Sequence, residues 1–377
     1  MKVLLLRNYP YDGSVSMRVF ADAMRRELKD AGITFDEIAP KPVFGRILPG
    51  KNGLGKWLGY IDRFILFPSA FRRAACNADL VHICDHGNAM YTGMLSDVPV
   101  VVTCHDMLAV RGALGEVEDC KPSVFGGFLQ KWIVDGLRKA TRVACVSQFT
   151  LEDVARVLGT KDNVCKVLNG LPYPFGLLEV NEADKRLEAI GGLRKPFILH
   201  VGSDHRRKNR ECVVRVFAKV RQKYDCQLVL AGEAPAPRLL TLANELGIRD
   251  NVIIAVRPET EVIEALYNRA IALLFPSRYE GFGWPPIEAQ ACGCPVVASD
   301  IPPIAEVLGD SAERFALEDE DGMATAIVRL AADSAHREQM RQRGFENISR
   351  FQALRMMADY LKLYQEILSS NSKAQAK

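Results

Sequence analysis

The chain has 377 residues, too many for one hydrophobic core to keep growing, so two domains are the default. Hydrophobic residues at 48% and charged residues at 25% exclude wholesale disorder, and a net charge of +3 gives no case for a nucleic-acid partner. Ten scattered cysteines in a chain of this length read as buried reduced thiols of a cytoplasmic protein, not as a disulfide framework.

In chain order, "MKVLLL" reads as a first strand at 2–6 and is too short for a signal peptide. "SMRVFADAMRRELKDAG" follows, with apolar residues at helical spacing and Gly32 as its stop. Residues 41–73 then carry seven Lys or Arg and one acid, Asp62, interleaved with Phe44, Trp57, Tyr60, Phe64, Phe67 and Phe71. Two readings stay open there: a core-packed helix pair with a basic outer face, or a surface that docks on an anionic membrane. No stretch reaches the roughly 20 apolar residues that span a bilayer.

Further apolar runs at 79–84, 99–104 and 142–147, and then at 197–202, 227–232, 251–255, 271–277 and 295–299, read as strands. Most are continuous rather than alternating, as a parallel sheet covered on both faces requires. Strands alternating with amphipathic stretches predict doubly wound α/β architecture. The charged stretch 176–195, with Gly191-Gly192 and Lys195-Pro196 at its end, reads as a linker. It divides a first Rossmann-like domain, 1–175, from a second, 196–350. Such halves create an interdomain cleft between facing strand ends.

Three constellations carry chemistry. "PSRYEGFGWPPIEAQACG" places Glu280 in a loop and Glu288 in the first turn of a helix that starts near Pro286. Glycosidase acids stand roughly 5–9.5 Å apart, whereas eight residues of loop and helix imply about 10 Å or more. That spacing suits two ends of one ligand, a sugar and a ribose bridged by a diphosphate. "HVGSDHRRKNRE" sets Gly202 at a strand end, followed by Arg206, Arg207, Lys208 and Arg210. It reads as a diphosphate clamp or as a solvated basic loop. "VVTCHDML" puts His105 and Asp106 just past a strand, facing a cleft or serving the backbone. His82, His86, His200 and His205 show no metal-ligand spacing, so no metal site is expected.

These residues together resemble the retaining GT-B glycosyltransferases of family GT4. The E-x7-E frame at Glu280 and Glu288, with "PVVASD" after it, is the specific part; "VGSDHRRKN", "VVTCHD" and "VSQFT" fall in the family's order. The resemblance implies transfer of a sugar from a nucleotide sugar (UDP-, GDP- or other) to a glycan, lipid-linked or small-molecule acceptor. Retention and independence of a metal or other cofactor are implied with it. It makes Glu280, Lys208 and His105 catalytic. Glu280 lies against the donor sugar, backbone of Gly281, Phe282 and Gly283 reaches that sugar, and Glu288 holds the ribose. Gly202, Ser203, Arg207 and Lys208 face the diphosphate, with Val256 and Arg257 beside the base. Gly13, Ser14 and Asp106 are placed on the acceptor side, and the last helix, 355–370, crosses back onto the first domain. Two departures stand out: Ser203 replaces the family's common arginine, and the first loop has Gly13 where a Gly-Gly pair is usual. A catalytically silent sugar-nucleotide-binding subunit is the alternative, which the intact Glu280, Glu288, Lys208 and His105 set disfavours.

Overall fold

The computed structural model describes residues 1–48, 53–194 and 196–375. The chain divides into two compact units, Met1–Pro172 with Ala353–Lys377, and Tyr173–Gln352. Each is built on a six-stranded parallel sheet.

The first sheet contains β1 (Lys2–Leu6), β2 (Thr34–Ile38), β3 (Leu80–Ile83), β4 (Val100–Cys104), β5 (Arg142–Cys145) and β6 (Val164–Lys166), in the order β2-β1-β3-β4-β5-β6. The second contains β7 (Phe197–Gly202), β8 (Gln227–Gly232), β9 (Val252–Val256), β10 (Leu273–Phe275), β11 (Val296–Ser299) and β12 (Glu313–Phe315), in the order β12-β11-β10-β7-β8-β9. Chain direction across the sheet therefore reverses between β1 and β3 in one unit and between β7 and β10 in the other. In doubly wound sheets, ligands bind outside the carboxyl ends of strands at such points.

The central strands are buried along their length because both faces are apolar. Side chains such as Leu4, Leu6, Val102, Ile198 and Leu230 are at most 1% exposed, each contributing about 1.5–3 kcal/mol of hydrophobic stabilisation. The edge strands β2 "TFDEI", β6 "VCK" and β12 "ERF" are absent from the sequence expectation. They are short and mixed in polarity, and their pairing to the neighbouring strand defines them, as in Val3 opposite Phe35.

The stretch 176–195, expected as a linker, carries the helix Val180–Leu187 and lies in the second unit; Lys195 itself is outside the described residues. Ala183 and Leu187 are buried, and Arg186 Nη1 donates to Glu264 Oε2 at 2.8 Å, so the charge of this stretch belongs to a packed amphipathic helix.

The last helix, Ala353–Gln375, belongs to the first unit. Its Tyr364 hydroxyl lies 2.6 Å from His82 Nδ1, and its Tyr360 hydroxyl lies 2.7 Å from Thr103 Oγ1. His82 Nε2 meets the same Thr103 oxygen at 2.7 Å, and burial lowers the imidazole to about 3. His82 is a neutral core residue.

Residues 41–73 form the helix Gly53–Ile61, a π-helical turn at Asp62–Leu66 and the helix Phe67–Ala75, with 49–52 outside the described residues. Phe67 and Phe71 are core, whereas Leu54, Trp57 and Ile65 are exposed. Among the described residues, no helix is long and apolar enough to cross a membrane.

Candidate active site

In the second unit, the loops after β7 and β10 leave adjacent strands where the sheet reverses. Lys208, 7% exposed, points its Nζ to Glu280 Oε1 at 2.6 Å and lies 4.7 Å from the centre of the Phe275 ring. Arg207 Nη1 donates to Glu280 Oε2 at 3.1 Å. Two motifs more than 70 residues apart thus converge on one carboxylate. Burial pushes Glu280 up, but Lys208 and Arg207 overcome that and hold it below its ordinary range. Burial likewise holds Lys208 below its ordinary value, against the pull of Glu280. Both cations, expected to face a diphosphate, turn toward Glu280 here. An ammonium has three N–H donors, and one is used by this carboxylate.

Glu288 differs from its expected place. The helix runs Trp284–Ala291, two residues earlier than Pro286 suggested, so Glu288 sits in its second turn. Burial raises its carboxyl to about 7, with the Tyr267 hydroxyl, which donates to Oε2 at 2.9 Å, and Lys208 pulling the other way.

Gly202 ends β7, and beyond it the Ser203 Oγ is buried without a partner. So is His200 Nε2, while His200 Nδ1 donates to Leu274 O at 3.0 Å. Burial lowers this imidazole to about 3, so Nε2 presents a lone pair. Gly283 has φ +107°, and a Cβ there would lie 2.7 Å from Ile304 Cδ1. Phe282 packs edge-on against Phe351 at 5.6 Å, so only its backbone is free for a ligand role. Val256 is exposed at the end of β9, and Arg257 adopts φ +45°, rare for a non-glycine residue, while donating its N–H to Gly232 O at 2.7 Å. Arg210 is structural: it is buried and donates to the Gly202 and Glu233 carbonyls.

In the first unit, His105 Nε2 lies 2.9 Å from Cys84 O, and the ring meets Phe20 edge-on at 4.7 Å. A carbonyl only accepts, so Nε2 carries the proton and Nδ1 the lone pair. Burial holds His105 below its ordinary range despite Asp85. Asp106 Oδ1 accepts from the N–H of Leu108, the first residue of the short helix Leu108–Ala113, at 2.9 Å. Gly13 has φ +76°, and Ser14 N donates to Asp12 Oδ1 at 2.8 Å.

Sequence reasoning missed the link between these loops. Asn8 Nδ2 donates to Asp12 Oδ2 at 3.0 Å and to Asp85 Oδ2 at 2.5 Å. Burial pushes Asp85 up, but His86, His105, Asn8 and the Gly87 N–H together hold it below the usual carboxylate range. "DHG" after a strand was the available signal, and the histidine beside the aspartate drew the reading instead. Among the described residues, no three His, Cys, Asp or Glu side chains converge as metal ligands.

Comparison with known proteins agrees with this geometry. The model described as Glycosyltransferase Family 4 matches residues 17–172, and that described as Glycosyl transferases group 1 matches 185–347. O-antigen chain mannosyltransferase RfbU of Salmonella typhimurium is 28% identical over 236 residues, 61% of this chain and 64% of that protein, so the match spans less than two thirds of the relative. Sucrose-phosphate synthase from Thermosynechococcus elongatus superposes with a TM-score of 0.77 at 22% identity, over 98% of this chain and 100% of that one. Anabaena HepE, solved with UDP and glucose, gives 0.73 at 14% identity over 97% and 100%. The two matched regions, the two parallel sheets and these likenesses agree that the chain belongs to the GT4-type glycosyltransferases of the GT-B fold.

Proposed function

We propose that this chain moves a sugar from a nucleotide-diphosphate sugar to an acceptor hydroxyl, with retention at the anomeric carbon and without a metal. The carrying observation is the buried cluster of Arg207, Lys208 and Glu280 at the carboxyl ends of β7 and β10. A diphosphate entering there shares the two cations with Glu280, and their charge stabilises the departing phosphate. Glu280 then grips hydroxyls of the donor sugar, and Glu288 accepts from the ribose. The bond from the anomeric carbon to phosphate breaks as the acceptor oxygen bonds on the same face. The acceptor's proton passes to the leaving phosphate. His105 Nδ1 is the first unit's acceptor for a sugar hydroxyl.

HepE's complex with UDP makes uridine nucleotides the first donors to try. The test is thermal stability with UDP, GDP, ADP or TDP and their sugars, in EDTA. A ligand at 100 times its dissociation constant adds about 2.7 kcal/mol. One nucleotide giving that shift, lost in Glu288→Ala, supports the reading; no shift from any of them removes it.

The same reading includes peripheral contact with an anionic membrane. Its support is a two-helix apolar face. Trp57 and Tyr60 meet Phe125 at 5.4 and 5.0 Å, and Phe64 meets Trp132 at 5.6 Å. Leu54, Ile65, Val124 and Phe128 are 65% or more exposed around them. Lys56, Arg63 and Lys131 lie among these rings, while Glu118 and Asp119 precede the second helix. The face thus extends beyond 41–73 onto the helix Val124–Lys139. Co-sedimentation with phosphatidylglycerol but not phosphatidylcholine vesicles, reduced in Trp57→Asp, is the expected result.

A further inference from the structure

The loop after β1 builds a second site, at the reversal point of the first sheet. Tyr9, Tyr11, Asp12, Lys56, Tyr60 and Arg63 line a recess of about 160 Å³, open at its mouth. Its frame is held by Asp62. That carboxylate accepts the Tyr9 hydroxyl at 2.9 Å and the N–H groups of Val43, Phe44 and Gly45 at 3.1, 2.9 and 2.9 Å. Gly45 lets the Tyr9 hydroxyl approach, because a Cβ there would lie 1.9 Å from it and displace it. The π-helical turn that begins at Asp62 directs Arg63 to the recess, and such turns recur at functional sites.

The charge in this recess is unbalanced. Asp62 is saturated by four donors, and Asp12 is engaged by Asn8 and Ser14. Among the described residues, Lys56 and Arg63 have no carboxylate partner, and Arg63 Nε is buried with no hydrogen-bond partner at all. Two cations among aromatic rings, Lys56 over Tyr60 at 5.7 Å and Arg63 over Phe64 at 5.4 Å, are suited to an anion joined to a sugar ring: guanidinium and ammonium take phosphate oxygens, and the tyrosine rings carry the apolar face of the sugar. Asp12 also reaches, through Asn8, the Asp85 carboxylate beside His105.

We infer that this recess is the acceptor site and that the acceptor is a saccharide bearing a phosphate or diphosphate. The inference rests on the glycosyltransferase reading above and supplies its acceptor class. Phosphate of this kind comes either from a soluble sugar phosphate or from a lipid-linked one, and the exposed Leu54 and Trp57 on the same helix as Lys56 make the second source worth separating.

The test titrates the full chain by calorimetry with glucose 1-phosphate, methyl glucoside, and glucosyl diphosphate on a farnesyl chain in phosphatidylcholine vesicles. Glucose 1-phosphate is expected to bind at least about tenfold more tightly than methyl glucoside, the size of one lost charge-assisted contact. Lys56→Ala and Arg63→Gln each weaken it by about tenfold, while Lys56→Arg retains it. Preference for the farnesyl compound over glucose 1-phosphate identifies a lipid-linked acceptor, and equal binding a soluble one; both support the recess. Glucose 1-phosphate binding unchanged in the Lys56→Ala/Arg63→Gln double variant, or no tighter than methyl glucoside, overturns it. UDP binding in each variant reports folding and keeps the two claims apart. A parent chain that binds glucose 1-phosphate but no nucleotide contradicts the glycosyltransferase reading alone.

Discussion

Lys208 and Glu280 form a buried ion pair at 2.6 Å, each less than 10% exposed, with Arg207 on the second carboxylate oxygen. Removing one partner leaves an uncompensated buried charge, which costs about 3–5 kcal/mol. Glu280→Gln should therefore lose stability in urea unfolding as well as turnover, by about 10²–10³ in kcat. The Lys208→Met/Glu280→Gln double variant removes both charges. Its loss of stability should fall short of the sum of the single losses by about 0.5–3 kcal/mol, and strict additivity would disprove the coupling.

Glu288 carries a pH signature. Its carboxyl is raised from 4.5 to about 7, so the folded state holds a proton that the unfolded state has released between those values. Stability is full below about 4.5 and declines as pH rises toward 7, by about 3 kcal/mol from this group. Glu288→Gln should flatten that part of the melting-temperature profile. Ribose hydroxyls prefer the carboxylate, so nucleotide affinity should rise from pH 6 to 8 in the parent and stay level in the variant.

Gly283 cannot take a side chain at φ +107° without meeting Ile304. Gly283→Ala should cost about 1–3 kcal/mol through backbone strain and displace the loop between Glu280 and Glu288. A denaturation midpoint equal to the parent's would show the loop adapts freely.

Tyr9→Phe leaves Asp62 with three backbone donors and should cost about 1 kcal/mol. Asp62→Ala strands all four donors and should cost several times more. Equal melting temperatures for the two variants would mean that Asp62 does not hold the 43–45 loop.

The central strands were legible because burial on both faces demands apolar runs such as "VVVTC" and "FILHVG". Glu280, Lys208 and Arg207 were legible as motif members, but their mutual pairing was not, since it depends on β7 and β10 being neighbours though 70 residues separate them. The same limit hid Asn8, Asp12 and Asp85, each unremarkable in its own loop and joined only by the β1–β3 adjacency. Phe282 was legible only for its backbone; the edge-on packing of its ring against Phe351 was not, because it depends on a partner 69 residues away. The helix Val180–Leu187 was read as linker because charge density outweighed the two apolar positions that anchor it.

The tyrosines of Ala353–Gln375 close a hydrogen-bonded set with His82 and Thr103, partners 282 and 257 residues earlier. During synthesis, the ribosome therefore delivers the whole second unit before the segment that finishes the first. The nascent amino-terminal sheet waits with His82 bonded to Thr103 alone and its second ring nitrogen unmet, so chaperone dependence and the slow step of refolding should both trace to the arrival of this last helix.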